Sequence, residues 1–65
     1  MNQNPGHLPP ECNTDDGKII RVHVQLINGY RTKGKEPAGW AANGRGGCRW
    51  SLTGNAHDIE FYEVI

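Results

Sequence analysis

Lys18-Ile19-Ile20-Arg21-Val22-His23-Val24-Gln25-Leu26-Ile27-Asn28-Gly29-Tyr30-Arg31-Thr32-Lys33 is the stretch on which the fold turns. Ile20, Val22, Val24 and Leu26 alternate with Arg21, His23 and Gln25. Alternation with period two, carried by β-branched residues, predicts a half-buried strand over 18–27. Asn28-Gly29 is a hairpin signal, because Gly and Asn accept the left-handed backbone such turns need. The register follows from where the charges must go. A two-residue loop would set Leu26 opposite Arg31 and Val24 opposite Lys33, placing two cations on the apolar face. A three-residue loop, Ile27-Asn28-Gly29 with Gly29 left-handed, sets Leu26 opposite Tyr30 and Val24 opposite Thr32. A slip of one residue inverts every side chain, so the three-residue loop is expected. Arg31 and Lys33 then join His23 and Gln25 on the outward side.

Beyond the hairpin, residues 34–47 hold Gly34, Gly39, Gly44, Gly46 and Gly47. They predict a long connection, with room for one helical turn at Pro37; connections of this length tend to be functional or disordered. Residues 48–53 read as a strand with Trp50 and Leu52 on one face. Residues 58–65 read as another, with Ile59 and Phe61 on one face and Tyr62 and Val64 on the other, as in a central strand. The expected fold class is all-β: a small antiparallel sheet of about four strands, flat or rolled into a partial barrel. Its expected core is Val22, Val24, Leu26, Trp50, Leu52, Ile59 and Phe61. Residues 1–17 carry Pro5, Pro9 and Pro10 among Asn, Asp and Gly, and Asp16-Gly17 marks a turn. They are expected to be a flexible, disordered tail ahead of a single small domain, 18–65.

With 65 residues, 35% of them hydrophobic, the chain supports one domain at most. A domain of this size buries only about 60% of its unfolded surface, so a homo-oligomer or a bound partner would relieve a minimal core. The N-terminal residues show no basic start followed by an apolar run. No stretch approaches the roughly 20 apolar residues of a membrane span. The expectation is a soluble, intracellular protein with no membrane contact. In such a compartment Cys12 and Cys48 are expected as reduced thiols.

The formal net charge is zero, yet the charges are segregated. All seven basic residues lie between Lys18 and Arg49, with Glu36 the one acid among them, so that span carries +6. Glu11, Asp15 and Asp16 precede it, and Asp58, Glu60 and Glu63 follow it. Such a distribution either steers a partner or is neutralised between neighbouring strands.

Several motifs fail on their chemistry. Gly29-x4-Gly34-Lys35 follows a strand like a phosphate-binding loop, but Glu36 stands where a Ser or Thr would hold Mg²⁺, and Pro37-Ala38-Gly39 opens no long helix. Cys12, His23, Cys48 and His57 are zinc-type ligands without the paired spacing of a zinc site. Cys48 with His57 lacks an oriented third group for nucleophilic catalysis. The chain is therefore read as non-enzymatic, with no catalytic residues, no metal and no cofactor. Two binding readings remain. Tyr30, Arg31, Lys33, Trp40, Arg45 and Arg49 are the residue types of protein-interface hot spots, and they are the candidate partner-binding residues. The same basic and aromatic segment, 30–50, could instead bind single-stranded nucleic acid, although dedicated binders are usually basic overall.

Trp50 and the closing Asp58-Ile59-Glu60-Phe61-Tyr62-Glu63-Val64-Ile65 form the pattern W-x7-D-I-x-x-Y-x-V-I. This pattern resembles the C-terminus of small proteins from tailed-phage and prophage genomes of enterobacteria. The likeness extends weakly back to Ile20, through the Asn28-Gly29 turn and Pro37-Ala38-Gly39-Trp40, and covers about two-thirds of the chain. What the resemblance implies is a phage accessory protein in the host cytoplasm. Such a protein would act by binding and modulating a host protein, a defence component among the candidates.

Overall fold

The computed structural model describes residues 1–14, 16–43 and 47–65. It is all-β, with four short strands: β1 (Asn2–Gln3), β2 (Arg21–Leu26), β3 (Trp40–Ala41) and β4 (Ile59–Val64). They form one open antiparallel sheet in the order β1-β4-β2-β3. The two six-residue strands, β2 and β4, pair at its centre. The two-residue strands β1 and β3 are its edges, so the sheet does not close on itself.

The hairpin after β2 has the register that the charges demanded. The Gly29 N–H donates to the Leu26 carbonyl at 2.9 Å, the Leu26 N–H to Tyr30 O at 2.8 Å, and the Thr32 N–H to Val24 O at 3.1 Å. Arg31 bridges Gln25. Gly29 has φ +92°, a left-handed value that only glycine adopts cheaply. The returning strand is brief. After Thr32 the chain turns away, with the Lys35 and Glu36 N–H groups both donating to Thr32 O. The Thr32 hydroxyl accepts from the Val24 N–H at 3.0 Å. The same edge of β2 is then taken up again by β3, with Trp40 opposite Val22 and Ala41 opposite Arg21. An uninterrupted strand would have put Gly34 opposite Val22, so six residues are looped out of one edge.

A register shift in β4 decides the core. Gln25 faces Phe61 but Leu26 faces Ile59, so Glu60 is the extra residue of a β-bulge. A bulge reverses the alternation beyond it, and Ile59 and Tyr62 therefore share one face. Both are buried, at 1% and 4% exposure. Phe61, expected in the core, is half-exposed on the opposite face. The core is Cys12, Val22, Val24, Leu26, Ala42, Trp50, Ile59 and Tyr62. Trp50 meets Tyr62 edge-on, with centroids 5.2 Å apart, and its indole N–H donates to Ala42 O at 2.7 Å.

The strand expected over 48–53 is corrected. Residues 48–53 form no strand. Trp50 reaches the core from irregular chain, while Leu52 is 57% exposed. The turn that follows is organised by Asp58, whose carboxylate accepts from the N–H groups of Thr53, Gly54 and Asn55 and from the Thr53 hydroxyl at 2.7–3.1 Å. The described part of the N-terminal segment makes contacts with the sheet. Asn2 and Gln3 pair with Tyr62 and Phe61, and a 3-10 turn over Pro10–Cys12 brings Cys12 into the core. Asn4 is buried, and its side-chain amide donates to Trp50 O at 3.0 Å and Ile59 O at 2.8 Å. An Asn with its polar atoms met in this way can sit under a sheet edge, where an unpaired one would be costly. One face of the sheet is thus covered by residues 4–12, 42–43 and 47–58, with the core between.

Candidate functional site

The sequence-selected residues do not form one surface. Tyr30 and Trp40 come together, Arg31 and Lys33 lie on the outward face, Arg49 stands at a separate cleft, and Arg45 lies outside the described residues.

Tyr30 and Trp40 flank opposite ends of the same β2 edge, on the side of the core. Their rings stack with centroids 6.4 Å apart and planes at 23°. The six-residue excursion returns Glu36 to them. Its carboxylate accepts from the Tyr30 hydroxyl and from the Trp40 indole N–H at 3.2 Å. The bond to Glu36 raises the pKa of Tyr30 above the usual phenol value. Lys35 lies 5.0 Å from the Tyr30 ring centre, within cation–π range. Arg21 closes the excursion from the other side, donating through Nε and Nη2 to Ala38 O at 3.0 Å and Gly39 O at 2.8 Å. The polar tips of both aromatics are therefore occupied within the molecule, and Glu36 sets a carboxylate between them.

The outward face is built by register. Arg31, Gln25, Phe61 and Gln3 form a row straight across the sheet, since each faces the next on the neighbouring strand. His23 and Glu63 form the next row. Lys33 pairs with Glu63 at 2.9 Å, and this bond holds the Glu63 carboxyl below its ordinary range. Exposed ion pairs of this kind contribute little to stability, but the pair fixes where the Lys33 charge sits.

The cleft is lined by Trp40, Gly47, Arg49, Thr53, Asn55, His57, Asp58 and Ile59, and holds about 190 Å³. Ligand pockets are typically about 300–1,000 Å³, so this one suits a single side chain rather than a substrate. Asp58 contributes no open carboxylate to it. Burial pushes its pKa up, but the hydrogen bonds from Thr53, Asn55 and Gly54 outweigh that and hold it below the usual value. Cys48 and Cys12 are both free thiols. Burial pushes Cys48 up to about 11, helped by the nearby Cys12 and opposed by Arg21; burial also raises Cys12. A thiol so protonated at neutral pH is a poor nucleophile. Among the described residues no three His, Cys, Asp or Glu side chains gather as a metal site. Among them, too, no helix is long and apolar enough to cross a membrane.

Compared with known proteins, the chain matches no family model, no curated protein and no solved structure.

Sequence reasoning passed over Glu36, Phe61, Gln25 and Gln3. Glu36 stands four residues before Trp40, but nothing local tells that the intervening loop folds back. Phe61 sits in a segment with apolar residues on both faces, a pattern that carries no information on where a bulge falls.

Proposed function

We propose that the chain is a non-enzymatic protein-binding module, a phage accessory protein that binds and modulates a host protein. The observation that carries this reading is the Glu36 clasp. A single nucleic-acid strand needs aromatic faces open to its bases and cations along its phosphates. Tyr30 and Trp40 instead stack on each other, with a carboxylate placed between their polar ends. A phosphate chain passing there meets negative charge. The small volume of the cleft and the raised thiol pKa values favour binding over catalysis. The phage origin and a host-cytoplasmic setting rest on the C-terminal pattern alone.

The test is capture from nuclease-treated host lysate beside electrophoretic shift of single-stranded DNA and RNA at low salt. The reading predicts a protein retained in stoichiometric amount and no shift of either oligonucleotide. An oligonucleotide shift that weakens with salt, at a slope of about 0.7 per phosphate contacted, would reject it in favour of single-stranded nucleic-acid binding.

A further inference from the structure

We infer that the bare face of the sheet docks an acidic protein surface, through a row of Arg31, Gln25, Phe61 and Gln3 flanked by Arg21 and the Lys33–Glu63 pair. This rests on the protein-binding reading and names the face used and the chemistry of the partner.

Three cations reach the outward side of the sheet, while Lys35 and Arg49 lie on the core side, at Tyr30 and at the cleft. Arg21, Arg31 and Lys33 belong to the outward side, by their register on β2 or by the bond to Glu63. Among the described residues, Glu63 is the carboxylate that the strand register pairs on that side, and the bulged Glu60 has no partner in the register. Three of the acids that could balance them are engaged elsewhere. Glu11 takes the hydroxyl of Tyr62, Glu36 takes Tyr30 and Trp40, and Asp58 takes the backbone of its own turn. Each of those carboxylates is met by uncharged donors, so these three do not neutralise the cations facing out. A protein of zero net charge thereby presents one electropositive side, and fields of this kind set partner choice and association rate.

The same face separates an acidic protein from the other occupants. Of the Phe, Tyr and Trp rings it has one, Phe61, because Tyr30, Trp40, Trp50 and Tyr62 are packed on the core side, and the His23 ring in the next row is tied through Nδ1 to Thr32 Oγ1 at 3.0 Å. Sheets that read single-stranded RNA stack two or three bases on aromatics, and one ring falls short of that. A second copy of this chain would bring like charges together. Phe61 between two glutamines, with Arg31 at the end of the row, is instead an apolar anchor in a polar rim, the layout of a protein interface.

The experiment is a titration of isotope-labelled protein with a peptide of glutamate interspersed with leucine, read by amide chemical shifts. A lysine–leucine peptide and an oligothymidine serve as the comparison probes. The expected result is saturable change at Gln3, His23, Gln25 and Arg31 with the acidic peptide only. Arg31→Glu, at an exposed position, and Phe61→Ala should each weaken it by about tenfold. No change at this face, changes centred on Trp40 and Arg49, tighter binding of oligothymidine here, or self-association through this face would each overturn the inference. A host protein still captured by Arg31→Glu and Phe61→Ala would sink this face and leave the protein-binding reading standing. Peptide binding here with no protein captured would sink that reading and leave the chemistry of the face.

Discussion

Replacing Gly39 by alanine tests the looped-out edge directly. Gly39 has φ +62°, and a Cβ there would overlap the Val22 carbonyl oxygen and lie 2.8 Å from both the Val22 carbonyl carbon and Ile65 Cδ1. Gly29 has φ +92°, but a Cβ there meets nothing within 4 Å. Gly29→Ala therefore carries only the left-handed backbone penalty, about 1–2 kcal/mol. Gly39→Ala carries that penalty and must also push β3 off β2. The bonds at risk are the Trp40–Ala41 ladder, the Ala42 N–H to Ile20 O, and the two from Arg21. At a net value of about 1 kcal/mol each, added to the backbone penalty of about 1–2 kcal/mol, the total loss is roughly 5–7 kcal/mol. A chain of this length has a total stability of about 3–10 kcal/mol, so Gly39→Ala should be close to unfolded at room temperature. Gly29→Ala should lower Tm by roughly 4–16 °C. Urea and thermal melts followed by circular dichroism and tryptophan fluorescence measure both. Equal losses for the two variants, within about 0.5 kcal/mol, would refute the close approach of the Gly39 backbone to β2.

Other consequences can be checked in the same melts. Ile59→Ala should cost about 2–5 kcal/mol and Phe61→Ala clearly less, because the bulge at Glu60 puts Ile59 inside and Phe61 outside; the reverse order would remove the bulge. Asn4→Ala should cost about 1–3 kcal/mol by stranding the Trp50 and Ile59 carbonyls, and amide exchange at Asn4 should be slowed in the native protein. An unprotected Asn4 and a neutral mutation would together speak for a mobile tail. Burial raises Cys48 from 9.0 to about 11, and the bond to Glu11 raises Tyr62 from 10.0 to about 12. Both groups hold their protons more tightly when folded, so their stabilisation is complete below pH 9 and drains away between pH 9 and 12. A urea midpoint that stays level across that window would contradict their surroundings, and Tyr62→Phe should flatten the upper part of the fall.

The hairpin was legible because three independent signals agreed: alternation in 20–26, the Asn28-Gly29 turn, and the cost of burying Arg31 and Lys33. The all-β class followed from it. What local pattern did not carry was long-range pairing. β1 is two polar residues, Asn2 and Gln3, whose place depends on the Asn4 side chain finding carbonyls 46 and 55 residues away. Trp50 and Leu52 alternate like a strand, but the Asp58 carboxylate draws residues 53–55 into a turn and Leu52 outward. Six candidate binding residues were chosen for their chemistry, and chemistry alone does not say which side of a sheet each occupies. Arg31 and Lys33 were placed outward because the hairpin register governs them. Trp40 was assigned to a loop because the six-residue excursion hides that it resumes an edge.

Docking of the outward sheet face onto an acidic protein is open to direct measurement. The most direct measurement is the affinity of a nuclease-resistant captured protein for the wild type and for Arg31→Glu, at low and raised salt. Arg31→Glu is expected to weaken binding by about tenfold, with salt acting mainly by slowing association. Equal affinity of the two proteins, with no dependence of the association rate on salt, would contradict it.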